Sequence, residues 1–349
     1  MQRLVTALCA ILSSGLLSTG TPSGKRAIGP ELTSSQIQDT GSSEGVSSRR
    51  SSELSGLPQG TLNSPQYASI ARAPLTQNAP AHNAPAQRGG NAAAVRIPIS
   101  RGVMILPQGC AGLDSTFDLL IHFHGAFTTT EPRLMQSGIR SVYVVENLGN
   151  FSGPYENAFP SAASFPQHLD ALLSRVKTAC PTRNLAIGRI ALSGWSAGYG
   201  AIYRIVAHPS NAQRVDAILL ADGMHVGFEP GSHRVRAAAM QPFLDFAEQA
   251  ASGRKLMAVT HSSIVPPGYA STTATATFLA DQLGLPSLAP AQPPRDGMEA
   301  TQYRAKSGLA IMGFAGGDAK AHCDHLYAIQ DTLWSRLRAR WSRPVNVLQ

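Results

Sequence analysis

Acidic residues are scarce in this chain: 21 Asp and Glu stand against 29 Lys and Arg among 349 residues, a formal net charge of +8. Up to Ala94 seven Lys and Arg face four Asp and Glu, so most of the surplus is spread thinly over the rest. The one concentration is Arg336, Arg338, Arg340 and Arg343. A nucleic-acid binder gathers its charge on one face with stacking aromatics nearby. Aromatics make up only 6% of this chain, and the charge does not gather, so no nucleic-acid partner is expected. Long apolar runs are also missing. No stretch reaches the roughly 18 unbroken apolar residues that a membrane span needs, so no stable membrane insertion is expected.

Cysteines are few as well, four in all. Cys9 lies inside the apolar run Leu4–Leu17, which follows a single positive charge at Arg3 and precedes small residues. That layout is a secretory signal peptide over residues 1–20, and it predicts a secreted or periplasmic protein. In an oxidising compartment Cys110 and Cys180 can pair, each in a polar loop before an apolar run, leaving Cys323 over.

From 21 to 94 large hydrophobes are rare and no apolar period appears; "SSEGVSSRRSSELSG" and "TQNAPAHNAPAQRGG" are representative. Such a segment cannot bury enough surface to offset its ordering entropy, so it reads as a disordered linker.

Residues 95–343 are patterned differently. Short apolar runs read as buried strands: "VRIPI", "GVMILP", "FDLLIHFHG", "RSVYVVEN", "RIALSGWS", "VDAILLADG", "KLMAVTHSSI" and "SGLAIMGFAGG". Helical faces lie between the later ones, such as Phe165, Leu169, Leu172, Leu173 and Val176, and Leu326, Ile329, Leu333, Leu337 and Trp341. Alternation of strands with helices predicts an α/β fold, a mostly parallel eight-stranded sheet covered by helices on both faces. Ligands in such sheets sit at the carboxyl ends of the strands.

One strand end stands out. "RIALSGWSAGYG" runs from an apolar strand through Gly194-Trp195-Ser196-Ala197-Gly198 into the helical "AGYGAIYRIVAH". Strand, Gly-x-Ser-x-Gly, helix is a nucleophile elbow: a sharp turn that exposes the serine hydroxyl while the glycines let strand and helix approach. The N–H of Ala197 at the helix start would face a developing oxyanion.

With this motif the chain resembles the α/β-hydrolase superfamily, in particular its secreted esterases and lipases, over most of Val95–Arg343. The resemblance implies a serine hydrolase that acts on a small-molecule or polymer-linked carboxylic ester through an acyl-enzyme, with no cofactor. It supplies a second oxyanion donor after the third strand, where "LLIHFHGAF" ends in His124-Gly125. The N–H of Ala126 or Phe127 is the candidate beside Gly125. It places the base in "GDAKAHCDHL", where His322 is preferred and His325, one turn on, is the alternative. The usual acid position, after "KLMAVTHSSIVPPGYAST", holds no acid before Asp281. The preceding strand ends in Asp222-Gly223, so Asp222 is chosen, with Asp318 and Asp324 as alternatives.

The order Ser196, Asp222, His322 is that of the superfamily. Trp195, Tyr155 and Tyr269 are candidates for pocket walls. Three other readings stay open: a peptidase or amidase on the same scaffold, a non-catalytic binding module, and a metal site using His122, His124 and Asp222 or His225. For His122 the plain strand residue is preferred.

Overall fold

The computed structural model describes residues 94–289 and 297–342. The signal peptide and the linker expected before residue 94 lie outside the described residues, as does Arg343.

Nine strands form one sheet: β1 (Val95–Ile99), β2 (Gly102–Leu106), β3 (Thr116–Phe123), β4 (Val142–Glu146), β5 (Ala186–Trp195), β6 (Ala217–Ala221), β7 (Leu256–His261), β8 (Ala300–Lys306) and β9 (Leu309–Phe314). Their order is β1-β2-β4-β3-β5-β6-β7-β9-β8. The six strands from β4 to β9 in that order are mutually parallel. A β1–β2 hairpin closes one edge antiparallel to β4, and β8 closes the other antiparallel to β9.

The sheet therefore has nine strands rather than the eight expected. The additional one is β8, "ATQYRAK", an edge strand mostly intermediate or exposed in burial. An edge strand needs no apolar run, which is why its sequence does not announce it. Ser307, with φ +50°, and Gly308 turn it into β9.

Nine α-helices lie among the described residues: α1 (Phe127–Ser137), α2 (Ser152–Asn157), α3 (Ser164–Ala179), α4 (Tyr199–Val206), α5 (Pro209–Arg214), α6 (Ala237–Ala251), α7 (Thr272–Gln282), α8 (Ala319–Tyr327) and α9 (Ser335–Trp341). None is long and apolar enough to cross a membrane.

Strand residues alternate between two faces. Leu119, Ile121 and Phe123 of β3, with Ile218 and Leu220 of β6, join the apolar sides of α3, α4, α6 and α7. Leu120, Leu219 and Ala221 point the other way, onto Leu134 of α1, Leu333, Trp334 and Leu337. Burial on both faces explains why the central strands read as continuous apolar runs. The C-terminal apolar face is not one helix. A π-helical turn at Gln330–Trp334 separates α8 from α9 and seats Trp334 Nε1 on Ser193 Oγ at 3.2 Å.

Cys110 and Cys180 are joined by a disulfide. None of the described cysteines is free, Cys323 included. The three described arginines of the run are engaged by the fold: Arg340 clamps Asp216 at 2.7 Å, Arg336 reaches Tyr303 Oη at 3.1 Å and Arg338 reaches the Ser137 carbonyl at 3.3 Å.

Candidate active site

Strand order reverses at β3. The chain moves outward to β4, then returns to the other side of β3 as β5. Above such a reversal the crossover helices diverge and leave a crevice at the carboxyl ends of the strands. Three strand ends converge there, and each carries a non-glycine residue with positive φ: His124 (69°) after β3, Ser196 (48°) after β5 and Asp222 (44°) after β6. Left-handed backbone costs a residue with a side chain about 1–2 kcal/mol. Three such residues side by side mark a region where aim has been favoured over backbone comfort.

Close packing holds the serine turn in place. A Cβ on Gly198 would sit 2.1 Å from the Phe123 carbonyl oxygen of β3, and one on Gly194 would meet the Gly198 backbone at 3.2 Å. A Cβ on Gly223 would lie 2.6 Å from the Ser196 carbonyl oxygen. At Gly198 and Gly223 only glycine allows the approach, and at Gly194 a side chain would force its neighbours to give by a few tenths of an ångström.

A test follows directly. Gly198→Ala must push β3 and the turn apart and is expected to cost about 2–3 kcal/mol. The thermal midpoint should then fall by about 4–12 °C. Gly153→Ala on α2 has open space around its new Cβ and should leave the midpoint level or slightly raised. Calorimetry of the two variants checks the contrast, and equal midpoints would show that the turn is not tightly held.

A cavity of about 270 Å³ opens over this region, its wall including Ser196, Ala197, Asp222, His225, Tyr269 and His322. His322, near the start of α8, places Nδ1 2.7 Å from Asp222 Oδ2, joining residues 100 positions apart. Asp222 is 2% exposed and His322 21%. The second carboxylate oxygen of Asp222 accepts from the Ser262 N–H at 2.9 Å and from the Thr272 hydroxyl at 2.6 Å. Burial alone would push this carboxyl's pKa up. The hydrogen bond and charge of His322, the charge of His325 and the Thr272 hydroxyl outweigh burial and hold it well below the usual carboxylate range.

The alternatives are engaged elsewhere. Asp318 caps α8, its carboxylate accepting from the Ala321 N–H at 2.8 Å, and Asp324 pairs with Lys320 at 2.7 Å. His325 is buried, with Nδ1 2.8 Å from Thr260 Oγ1, and burial draws its pKa down to about 4. His122 is wholly buried, with Nδ1 2.9 Å from Ser193 Oγ, and burial draws it to about 3. The same cause takes His124 and His225 to about 4. These four imidazoles are neutral near pH 7. Among the described residues no group of three or more His, Cys, Asp or Glu is arranged to hold a metal ion.

Other expected site residues separate. Tyr269 lines the cavity; Tyr155 and Trp195 do not. Tyr155 is fully buried, and its hydroxyl lies 2.9 Å from His124 Nδ1 and donates to the Gly149 carbonyl at 3.1 Å. The Gly125 N–H donates to Asn147 Oδ1 at 3.1 Å, and Asn147 Nδ2 returns a bond to the Gly125 carbonyl at 2.8 Å. That N–H is thus spent within the fold. Ala126, exposed at the N-cap of α1, and Ala197, in the cavity wall, remain as the pair of backbone donors to consider. Ser262, Thr272 and Asn147 were not singled out as site residues in the sequence. Each acts through a neighbour distant in the chain, and none belongs to a local motif.

No protein-family model matches the chain, and no curated protein sequence does. Among solved structures, a cold-adapted esterase from an Arctic intertidal metagenomic library superposes with a TM-score of 0.38 at 12% identity, covering 70% of this chain and 92% of that one. Aspergillus fumigatus lipase B gives 0.26 at 13% identity, with 51% and 45% covered. A histone deacetylase gives 0.24 at 12% identity, with 49% and 28% covered. At such scores the likenesses decide nothing about chemistry.

Proposed function

We propose that this chain is an exported serine hydrolase of the α/β-hydrolase superfamily that cleaves carboxylic esters. The observation that carries the reading is the meeting of Ser196, on its left-handed turn, with the His322–Asp222 pair in one cavity. A serine hydroxyl is a weak nucleophile and needs an adjacent base, and that base needs a group to fix its tautomer.

With Asp222 accepting from Nδ1–H, His322 presents the Nε2 lone pair to the serine. Ser196 Oγ attacks the acyl carbon as Nε2 takes its proton. The oxyanion is held by the N–H groups of Ala126 and Ala197. Collapse breaks the bond to the leaving alkoxide, which takes the proton from Nε2 and departs as alcohol. Water then repeats the cycle on the acyl-enzyme: Nε2 removes its proton, the acid leaves, and Ser196 regains a hydrogen.

Among the described residues no lysine or arginine lines the cavity, which suits an uncharged acyl group. The Cys110–Cys180 disulfide and the apolar leader support export. The test is labelling of the full chain with a fluorophosphonate, followed by mass analysis of the peptide that contains Ser196. An adduct on Ser196 is expected. An unlabelled, folded protein would sink the serine mechanism.

A further inference from the structure

Trp195, the residue before the candidate nucleophile, packs against two imidazoles. Its ring centroid lies 5.0 Å from that of His124, with the planes 8° apart, and 4.9 Å from that of His322, with the planes at 31°. Its Nε1–H donates to the His322 carbonyl at 3.0 Å. One side chain therefore grips both the ring and the backbone of His322. An indole face attracts a cation within about 6 Å of its centroid, and the proposed mechanism makes His322 a cation each time Ser196 gives up its proton.

The second imidazole against the indole is uncharged. The Tyr155 hydroxyl accepts from the Leu148 N–H and donates to the Gly149 carbonyl, both at 3.1 Å. His124 Nδ1 is then the donor in its bond to that hydroxyl, and burial together with the charge of His322 keeps this ring neutral near pH 7.

We propose that Trp195 is a positioning residue that acts through His322, holding the imidazole against Asp222 and stabilising its protonated form with the indole face. This rests on the reading of His322 as the base. The other groups around His322 are Asp222 on its Nδ1, from the end of β6; His124 beyond β3 and His225 beyond β6, both neutral; and, on its own helix, neutral His325, the capping Asp318 and the paired Lys320 and Asp324. None of these groups is itself altered when Trp195 alone is changed, and His124, the one stacked on the indole, is neutral near pH 7.

The experiment needs no substrate. Full-length protein labelled with ¹⁵N-histidine is titrated by NMR, and the His322 resonances are identified by their loss in His322→Gln. Trp195→Leu keeps apolar bulk over the imidazole and removes the π face; Trp195→Phe keeps a face and loses the N–H. The expected order of His322 midpoints is wild type, then Phe, then Leu, with Leu about one pH unit below wild type. Coincident midpoints in all three proteins, or a Leu midpoint at or above that of wild type, would overturn the proposal. If the Leu variant does not fold, Trp195→Met makes the same comparison. Fluorophosphonate labelling of the same samples separates the two inferences: a shifted midpoint without labelling upholds the Trp195–His322 coupling and removes the hydrolase reading, and labelling without a shift does the reverse.

Discussion

Ser196→Ala is expected to lower kcat/KM for a short chromogenic ester by about 10^5–10^6, near the loss seen when a triad nucleophile is removed elsewhere. The backbone of the elbow is kept by Gly194, Gly198 and Gly223, whose close approaches do not involve the hydroxyl. Alanine has a Cβ like serine and meets the same strain at φ +48°, so stability should change by less than about 1 kcal/mol. The donors at Ala126 and Ala197 survive the change, and a residual rate about 10^3-fold above water is expected from them and from binding. Steady-state kinetics beside a urea titration of both proteins make the measurement. A loss below about tenfold with an unchanged midpoint would remove Ser196 from the chemistry. A large loss accompanied by unfolding would instead mark it as structural. Adding His322→Ala to Ser196→Ala should cost little more, because nucleophile and base act as one unit.

Much of this arrangement was legible because its signals are local. The elbow is five consecutive residues between an apolar run and a helix, and β5 and α4 flank it as that pattern requires. The eight strands read from apolar runs correspond to β1–β7 and β9. The missed strand, β8, has no buried residue, and unlike the equally unburied edge strand β1 its sequence "ATQYRAK" carries no run of branched apolar residues. The C-terminal amphipathic pattern placed Leu326, Ile329, Leu333, Leu337 and Trp341 on one apolar face; the first four are buried and Trp341 is partly buried. The π turn between α8 and α9 left no trace in that periodicity, because it re-aims the face without changing which residues are apolar.

Long-range hydrogen bonding was far less legible. Nothing in "HSSIVPPGYASTT" shows that Ser262 and Thr272 will clamp a carboxylate on the neighbouring strand. The absence of an acid in that segment and the presence of its donors are two sides of one arrangement: β6 supplies the carboxylate and β7 supplies what holds it. Likewise His-Gly after β3 suggested a backbone donor at Gly125, but Asn147 from the end of β4 takes that N–H. Residue types at strand ends can be read from a sequence; which strand end satisfies which atom depends on register, and the register appears only in the fold.

Asp222→Asn is expected to lower kcat by about 10^4 while leaving the fold intact. The carboxamide oxygen can still accept from the Ser262 N–H and the Thr272 hydroxyl, the two bonds that now end on Asp222 Oδ1. Its NH₂ group then faces His322 Nδ1, where the carboxylate accepted before. A donor facing Nδ1 selects the tautomer with the proton on Nε2, so the imidazole can no longer take the serine proton. The same substitution tests the pH linkage. Because the folded-state pKa of Asp222 is depressed, its ionisation stabilises the fold above the unfolded value of about 3.9, and that contribution is lost as pH falls through the lower folded value. The gap in unfolding free energy between wild type and Asp222→Asn should therefore be widest near neutral pH and shrink below about pH 4. Kinetics at neutral pH and denaturant titrations from pH 3 to 7 measure both effects. A kcat within about tenfold of wild type would mean that His322 does not depend on Asp222 for its tautomer. Asp318 and Asp324 offer no easy replacement, since one is committed to the α8 cap and the other to Lys320, so that result would put His322 itself in question as the base.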